Sequence, residues 1–115
     1  MAKYSPDLSA VFAALADPTR RRMIERLARG EMSAGELAAG FPISLPAVSK
    51  HLKVLEHSGL LKRTVVGRVH RLRLVPKPMS GAAEWIESQR RYWNAAFDRL
   101  DQFLTQDQRG KKTTR

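Results

Sequence analysis

The chain has 115 residues, room for one hydrophobic core and not for two. Its formal charge of +10 and pI near 10.9 point to a polyanionic partner, and the lack of cysteine excludes disulfides, thiolate nucleophiles and thiolate metal sites. No apolar run is long enough to span a bilayer and the N-terminus lacks the continuous apolar stretch of a leader, so the expected location is the cytoplasm, with no membrane partner.

Ser5-Pro6-Asp7 supplies an N-cap, a proline at the first helical position and an early acid, and Leu8, Val11, Phe12 and Leu15 follow at helical spacing. Asp17-Pro18 repeats that start, and Ile24, Leu27 and Ala28 carry a second helix to a stop at Gly30. Ser33 and Glu36 fit a capping box at the head of a short third helix bearing Leu37 and Ala38 toward Gly40. Ser44 then caps a fourth helix, which Gly59 ends at residue 58. Two short helices across a tight glycine-containing turn are the ingredients of a helix-turn-helix.

Over residues 60–75, Leu60 to Val65 and Val69 to Val75 alternate as strands around Val66-Gly67-Arg68, where Gly67 supplies the turn conformation. His70, Leu72 and Leu74 fall on one face of the second strand, and Val69, Arg71 and Arg73 on the other, so the hairpin is a candidate wing. Pro76 and Pro78 break the chain and Ser80 can cap. Beyond them Ala82, Trp85, Ile86, Trp93, Ala96, Phe97, Leu100, Phe103 and Leu104 recur at three- and four-residue steps, predicting one helix about twice the usual length. So aromatic a terminal helix has two readings, burial against a second subunit or packing on its own first helix. The expected organisation is a single domain over residues 1–106 and a basic, disordered tail over 107–115, which holds about four of the positive charges between Arg109 and Arg115.

The informative charge lies further in. Lys50, Lys53, Lys62, Arg63, Arg68, Arg71, Arg73 and Lys77 face a single acid, Glu56, and a basic stretch within a folded segment is the footprint of a nucleic-acid binder. Projected at about 100° per residue, the fourth helix gathers Val48, Leu52 and Leu55 into an apolar stripe, opposite Pro46, Ser49, Lys50 and Lys53. Pro46, Ala47 and Ser49 are small enough to let the N-terminal end approach base edges, and the lysines can meet phosphates. A solvated face would explain the lysines taken alone. The preceding helix-turn-helix and the arginine-bearing hairpin favour double-stranded DNA, with the second helix in the major groove and Arg68 at the wing tip reaching a minor groove or its phosphates.

The segments FAALADPTRRRMIERLARGEMSAGELA, SLPAVSKHLKVLEHSGLLKR and VGRVHRLRL resemble the ArsR/SmtB family of winged-helix transcriptional repressors over most of the chain from Phe12 to Leu74. The resemblance implies a mainly α fold with a small β-hairpin: three helices, a recognition helix, two strands and a long C-terminal dimerisation helix, together a winged helix-turn-helix. It implies a homodimer built from the first and last helices, which would place Leu8, Val11, Phe12, Trp85, Trp93, Phe97, Leu100 and Leu104 at the interface, and an inverted-repeat operator. By the family motif, Ser44, Leu45, Pro46, Ser49, Lys50 and Lys53 would contact the groove, and Arg68 and Arg71 would lie on the wing. Many members sense metals through cysteines in the third helix or through histidines and carboxylates along the last. This chain has MSAGELAAG in the former and no histidine in the latter, so it is more similar to a metal-independent branch, with no cofactor. An unidentified small-molecule inducer between paired aromatic faces competes with the reading of that stripe as plain dimer core.

Smaller signals carry less. His51 is expected to pack against the third helix and His70 at the core edge. Arg20, Arg21 and Arg22 oppose the dipole at the start of their helix, which makes a purely structural purpose less attractive than phosphate or intersubunit contacts. No nucleophile, phosphate loop or carboxylate pair suggests an enzyme. The alternative function is a winged-helix interaction module for RNA or a protein, which would need an exposed apolar patch; Val54 and Val69 are its only hints.

Overall fold

The structure, a computed structural model, describes residues 7–113 of the chain and side chains as far as residue 107. The chain divides into two units, residues 1–82 and 83–115. The first unit begins with α1 (Leu8–Leu15) and α2 (Pro18–Leu27). Ser5 and Pro6, expected to start α1, lie outside the described residues. The observed cap is Asp7, whose carboxylate accepts the backbone N–H of Ser9 at 3.0 Å. Asp17 does the same for α2, accepting the N–H of Arg20 at 3.0 Å, and that hydrogen bond is the main reason its carboxyl titrates below the ordinary range. The helix ends at Leu27, three residues before Gly30.

Next come β1 (Met32–Ser33) and α3 (Ala34–Ala39). The capping box is present in both directions, the Glu36 N–H donating to Ser33 Oγ at 3.0 Å and the Ser33 N–H to Glu36 Oε1 at 2.9 Å. α4 (Leu45–His57) follows, then β2 (Leu61–Val66), β3 (Val69–Leu74) and α5 (Pro76–Thr113). The wing is therefore more than a hairpin. It is a three-stranded antiparallel sheet in the order β1-β3-β2, with Met32 opposite Leu72 and Ser33 opposite Arg71. A two-residue strand has no period to read in a sequence.

The core of the first unit gathers one face from each element: Val11 and Ala14 of α1, Met23 and Leu27 of α2, Leu37 of α3, Val48, Leu52 and Leu55 of α4, and Leu61 and Leu72 of the sheet. Val11, expected at the dimer interface, is 0% exposed. It is spent within the chain's own core, while its neighbours Leu8 and Phe12 are only half-buried.

α5 begins at Pro76 and runs through Pro78 and Ser80, where the sequence suggested a break and a cap. The reason is positional: backbone N–H groups in the first turn have no intrahelical acceptor, so proline there forfeits nothing. Pro78 and Ala82 are buried in this first stretch. Helical structure continues to Thr113, well into the segment expected as a tail, and the 38 residues are more than three times a typical helix. In the second unit Trp85, Ile86, Tyr92, Trp93, Phe97, Leu100, Phe103 and Leu104 are all exposed. Trp93 packs edge-on to Tyr92 with ring centroids 5.7 Å apart, and 6.0 Å from Phe97.

Candidate nucleic-acid interface

α4 is fixed at its head by Ser44, whose Oγ accepts the N–H of Ala47 at 3.3 Å. That hydroxyl oxygen caps the helix, and Pro46 in the first turn stiffens the same end. Val48, Leu52 and Leu55 are buried as their spacing predicts. On the outer side Pro46, Ala47, Ser49, Lys50 and Lys53 line one open concavity, and Leu45 stands beside it at 72% exposure. Of the six expected groove residues, Pro46, Ser49, Lys50 and Lys53 share this concavity, while Ser44 caps the helix and Leu45 lines the neighbouring groove between α3 and α4.

What holds α4 differs from expectation. His51 faces α2, not α3: its Nδ1 is 3.3 Å from Arg20 Nη1 and 3.9 Å from Asp17 Oδ2. Arg20 also donates through Nε to the carbonyl of Ala14 and through Nη2 to that of Ala13, each at 2.8 Å, and Arg21 donates to Leu15 O at 2.7 Å. Cations at the start of α2 do oppose its dipole. Their long side chains turn back onto the carbonyls at the end of α1, where positive charge is favoured. The structural purpose discounted from the sequence is the one observed for Arg20 and Arg21.

At its other end α4 is tied to the wing. Arg63 of β2 makes a two-pronged contact with Glu56, Nη2 to Oε1 at 2.7 Å and Nε to Oε2 at 3.2 Å, and its Nη1 is 3.2 Å from His70 Nδ1. The lone acid of the basic segment therefore neutralises Arg63 and leaves the outer cations alone. Planar two-point pairing of this kind fixes orientation as well as distance. Ser58 closes α4 by donating to Leu55 O at 2.7 Å and accepting the Leu60 N–H at 3.3 Å. Neither device was singled out in the sequence, although opposite charges seven residues apart across a helix-to-strand junction are a signal that could have been read. Arg63→Ala is expected to lower stability by about 1–2 kcal/mol and leave the salt dependence of nucleic-acid binding unchanged, as paired denaturation and binding titrations would show.

The wing turn is Gly67-Arg68. Gly67 has φ +63° while Arg68 does not enter the left-handed region, which fits a type II′ turn with glycine at the first central position. Arg68 stands exposed at the tip. Arg71 does not share that position. Its guanidinium lies 3.6 Å from Glu31 and 3.7 Å from Glu36, because pairing with β1 sets it opposite Ser33 and thus beside the capping box. Among the described residues no carboxylate pairs with Lys50, Lys53, Lys62, Arg68, Arg73 or Lys77.

This arrangement has close counterparts. A helix-turn-helix domain family matches residues 15–64, from the end of α1 to the middle of β2. The HTH-type transcriptional regulator Rv2034 of Mycobacterium tuberculosis is 39% identical over 100 residues, 87% of this chain and 89% of that protein. The transcriptional repressor SdpR of Bacillus subtilis is 41% identical over 54 residues, 47% of this chain and 60% of that protein. The crystal structure of the ArsR family transcriptional regulator RHA00566 superposes with a TM-score of 0.74 at 38% identity, covering 82% of this chain and 97% of that one. The chain belongs to the ArsR family of DNA-binding transcriptional regulators.

In this ArsR-family chain α3 and α4 form the helix-turn-helix and β1, β2 and β3 the wing. The family is one of regulators and not of enzymes. Among the described residues no three histidine, cysteine or carboxylate side chains are grouped to hold a metal, and no helix is long and apolar enough to cross a membrane.

Proposed function

We propose that the protein is a cytoplasmic, homodimeric repressor that occupies an inverted-repeat operator, inserting the first turns of α4 into the major groove and resting the wing on adjacent backbone. The observation that carries this reading is the outer face of α4, an acid-free concavity of small residues with Lys50 and Lys53 on its wall. Lys62, Arg68, Arg73 and Lys77 add cations that no carboxylate among the described residues neutralises. Ser49 and Lys50 are the base-side candidates, Lys53 and Arg68 the phosphate contacts, and Arg71 braces the wing against Glu31 and Glu36 instead of reaching DNA. The exposed aromatic side of α5 supports dimerisation. The chain has no cysteine and no histidine after His70, so the donors of the ArsR-family metal sites are missing, which supports a metal-independent regulator.

Lys53→Ala and Arg68→Ala are each expected to weaken binding to every duplex sequence and to reduce the slope of log affinity against log salt by about 0.9 per lost phosphate contact. Fluorescence titrations at several salt concentrations measure it, and unchanged slopes would remove these residues from the backbone contacts. One observation favours a second reading as a protein-binding module: Val65, Val66 and Val69 are exposed together at the wing end, whereas Val54 packs on the core.

A further inference from the structure

Leu45 is a bulky apolar side chain left open to water. It is the first residue of α4, and at 72% it is the most exposed of the large apolar side chains described. It lies one helical turn before Ser49 and lines, with Val48, Ser49 and Leu52, a groove between α3 and α4 that Ala34, Gly35 and Ala38 complete. Water is a poor neighbour for such a side chain, and Ser49 joins this groove to the concavity that Lys50 and Lys53 line.

The rest of α4 narrows what this end can read. Residues 45–57, LPAVSKHLKVLEH, contain no arginine, asparagine or glutamine, so two-point hydrogen bonds to base edges from this helix are left to its lysines, on guanine. Ser44 Oγ accepts the Ala47 N–H and keeps its own proton to donate. Hydrogen-bonded readout at the leading end falls to Ser44, Ser49 and Lys50, and the remaining surface is the apolar set Leu45, Pro46 and Ala47. In a major groove the one apolar feature a base pair presents is the C5-methyl group of thymine.

We propose that Leu45 is a specificity-determining residue that recognises a thymine methyl group in each operator half-site. The inference rests on the reading of the protein as a sequence-specific duplex binder. It assigns discrimination at one base pair to exclusion of water between two apolar groups, so that position is insensitive to salt while the lysine contacts are not.

The test uses the full chain and an operator obtained by selection from random duplexes, with each half-site thymine replaced in turn by deoxyuridine, which removes the methyl and nothing else. Wild-type protein should lose about fourfold in affinity at one position per half-site, the worth of one buried methyl. Leu45→Ala should bind more weakly and show no further loss at that position. A uracil effect of equal size in the variant, or none in the wild type while selective binding persists, would overturn the assignment to Leu45 and leave the regulator reading standing. Absence of any selected sequence would overturn both.

Discussion

Replacing Trp93 and Phe97 together by aspartate is expected to convert the protein to a monomer and to lower its affinity for a two-half-site operator by about 10²–10⁴-fold. Both rings are more than half exposed, at 52% and 59%, so the first unit, with its separate core, stays folded. The loss arises because the second half-site is no longer delivered at the millimolar effective concentration that a linked partner provides. Ile86, Leu100 and Leu104 sit on the same side of the helix as Trp93 at steps of seven or four residues. Two carboxylates within that stripe would have to be buried unpaired in any dimer. Sedimentation equilibrium and binding to single and paired half-sites check this. A variant that stays dimeric would show that the α5 stripe is not the interface.

The second large effect is on stability. Leu55→Ala should cost about 2–5 kcal/mol, the range for a fully buried leucine whose cavity relaxes incompletely. Leu55 is 0% exposed on the inner face of α4, in one cluster with Met23, Leu37, Leu60 and Leu72. A domain of this size has a stability of only about 5–15 kcal/mol, so the variant should unfold at markedly lower denaturant. Saturating operator should recover part of the loss, since duplex that binds only the folded state shifts the transition by mass action. Affinity measured where the variant is fully folded should stay near that of the wild type, because the outer face of α4 is untouched. Chemical denaturation with and without duplex separates the two effects.

The inner and outer faces of α4 were legible because helical periodicity assigns Val48, Leu52 and Leu55 without any knowledge of their partners. The caps at Asp17, Ser33 and Ser44 were legible for the same reason, since each acts within its own turn. What the sequence hid was pairing at a distance. β1 exists only through its ladder with β3, and without it Arg71 reads as an outward wing cation instead of the partner of Glu31 and Glu36. Arg20 was misread for a related reason. Its position opposes the dipole of α2, but a long side chain is placed by the acceptors it reaches, here the carbonyls of α1. Val11 shows the limit of periodicity: the spacing marks the apolar face of α1 and says nothing of whether that face is covered by the same chain or by another.

The most direct test of the account is selection of bound sequences from a random duplex pool, with the mass of the complex determined in the same preparation. The account predicts an enriched inverted repeat bound by two chains, its half-sites centred about 34 Å apart so that both copies of α4 enter the groove on one side of the duplex. Salt-sensitive binding with no enriched sequence, or an enriched single site bound by one chain, would contradict it.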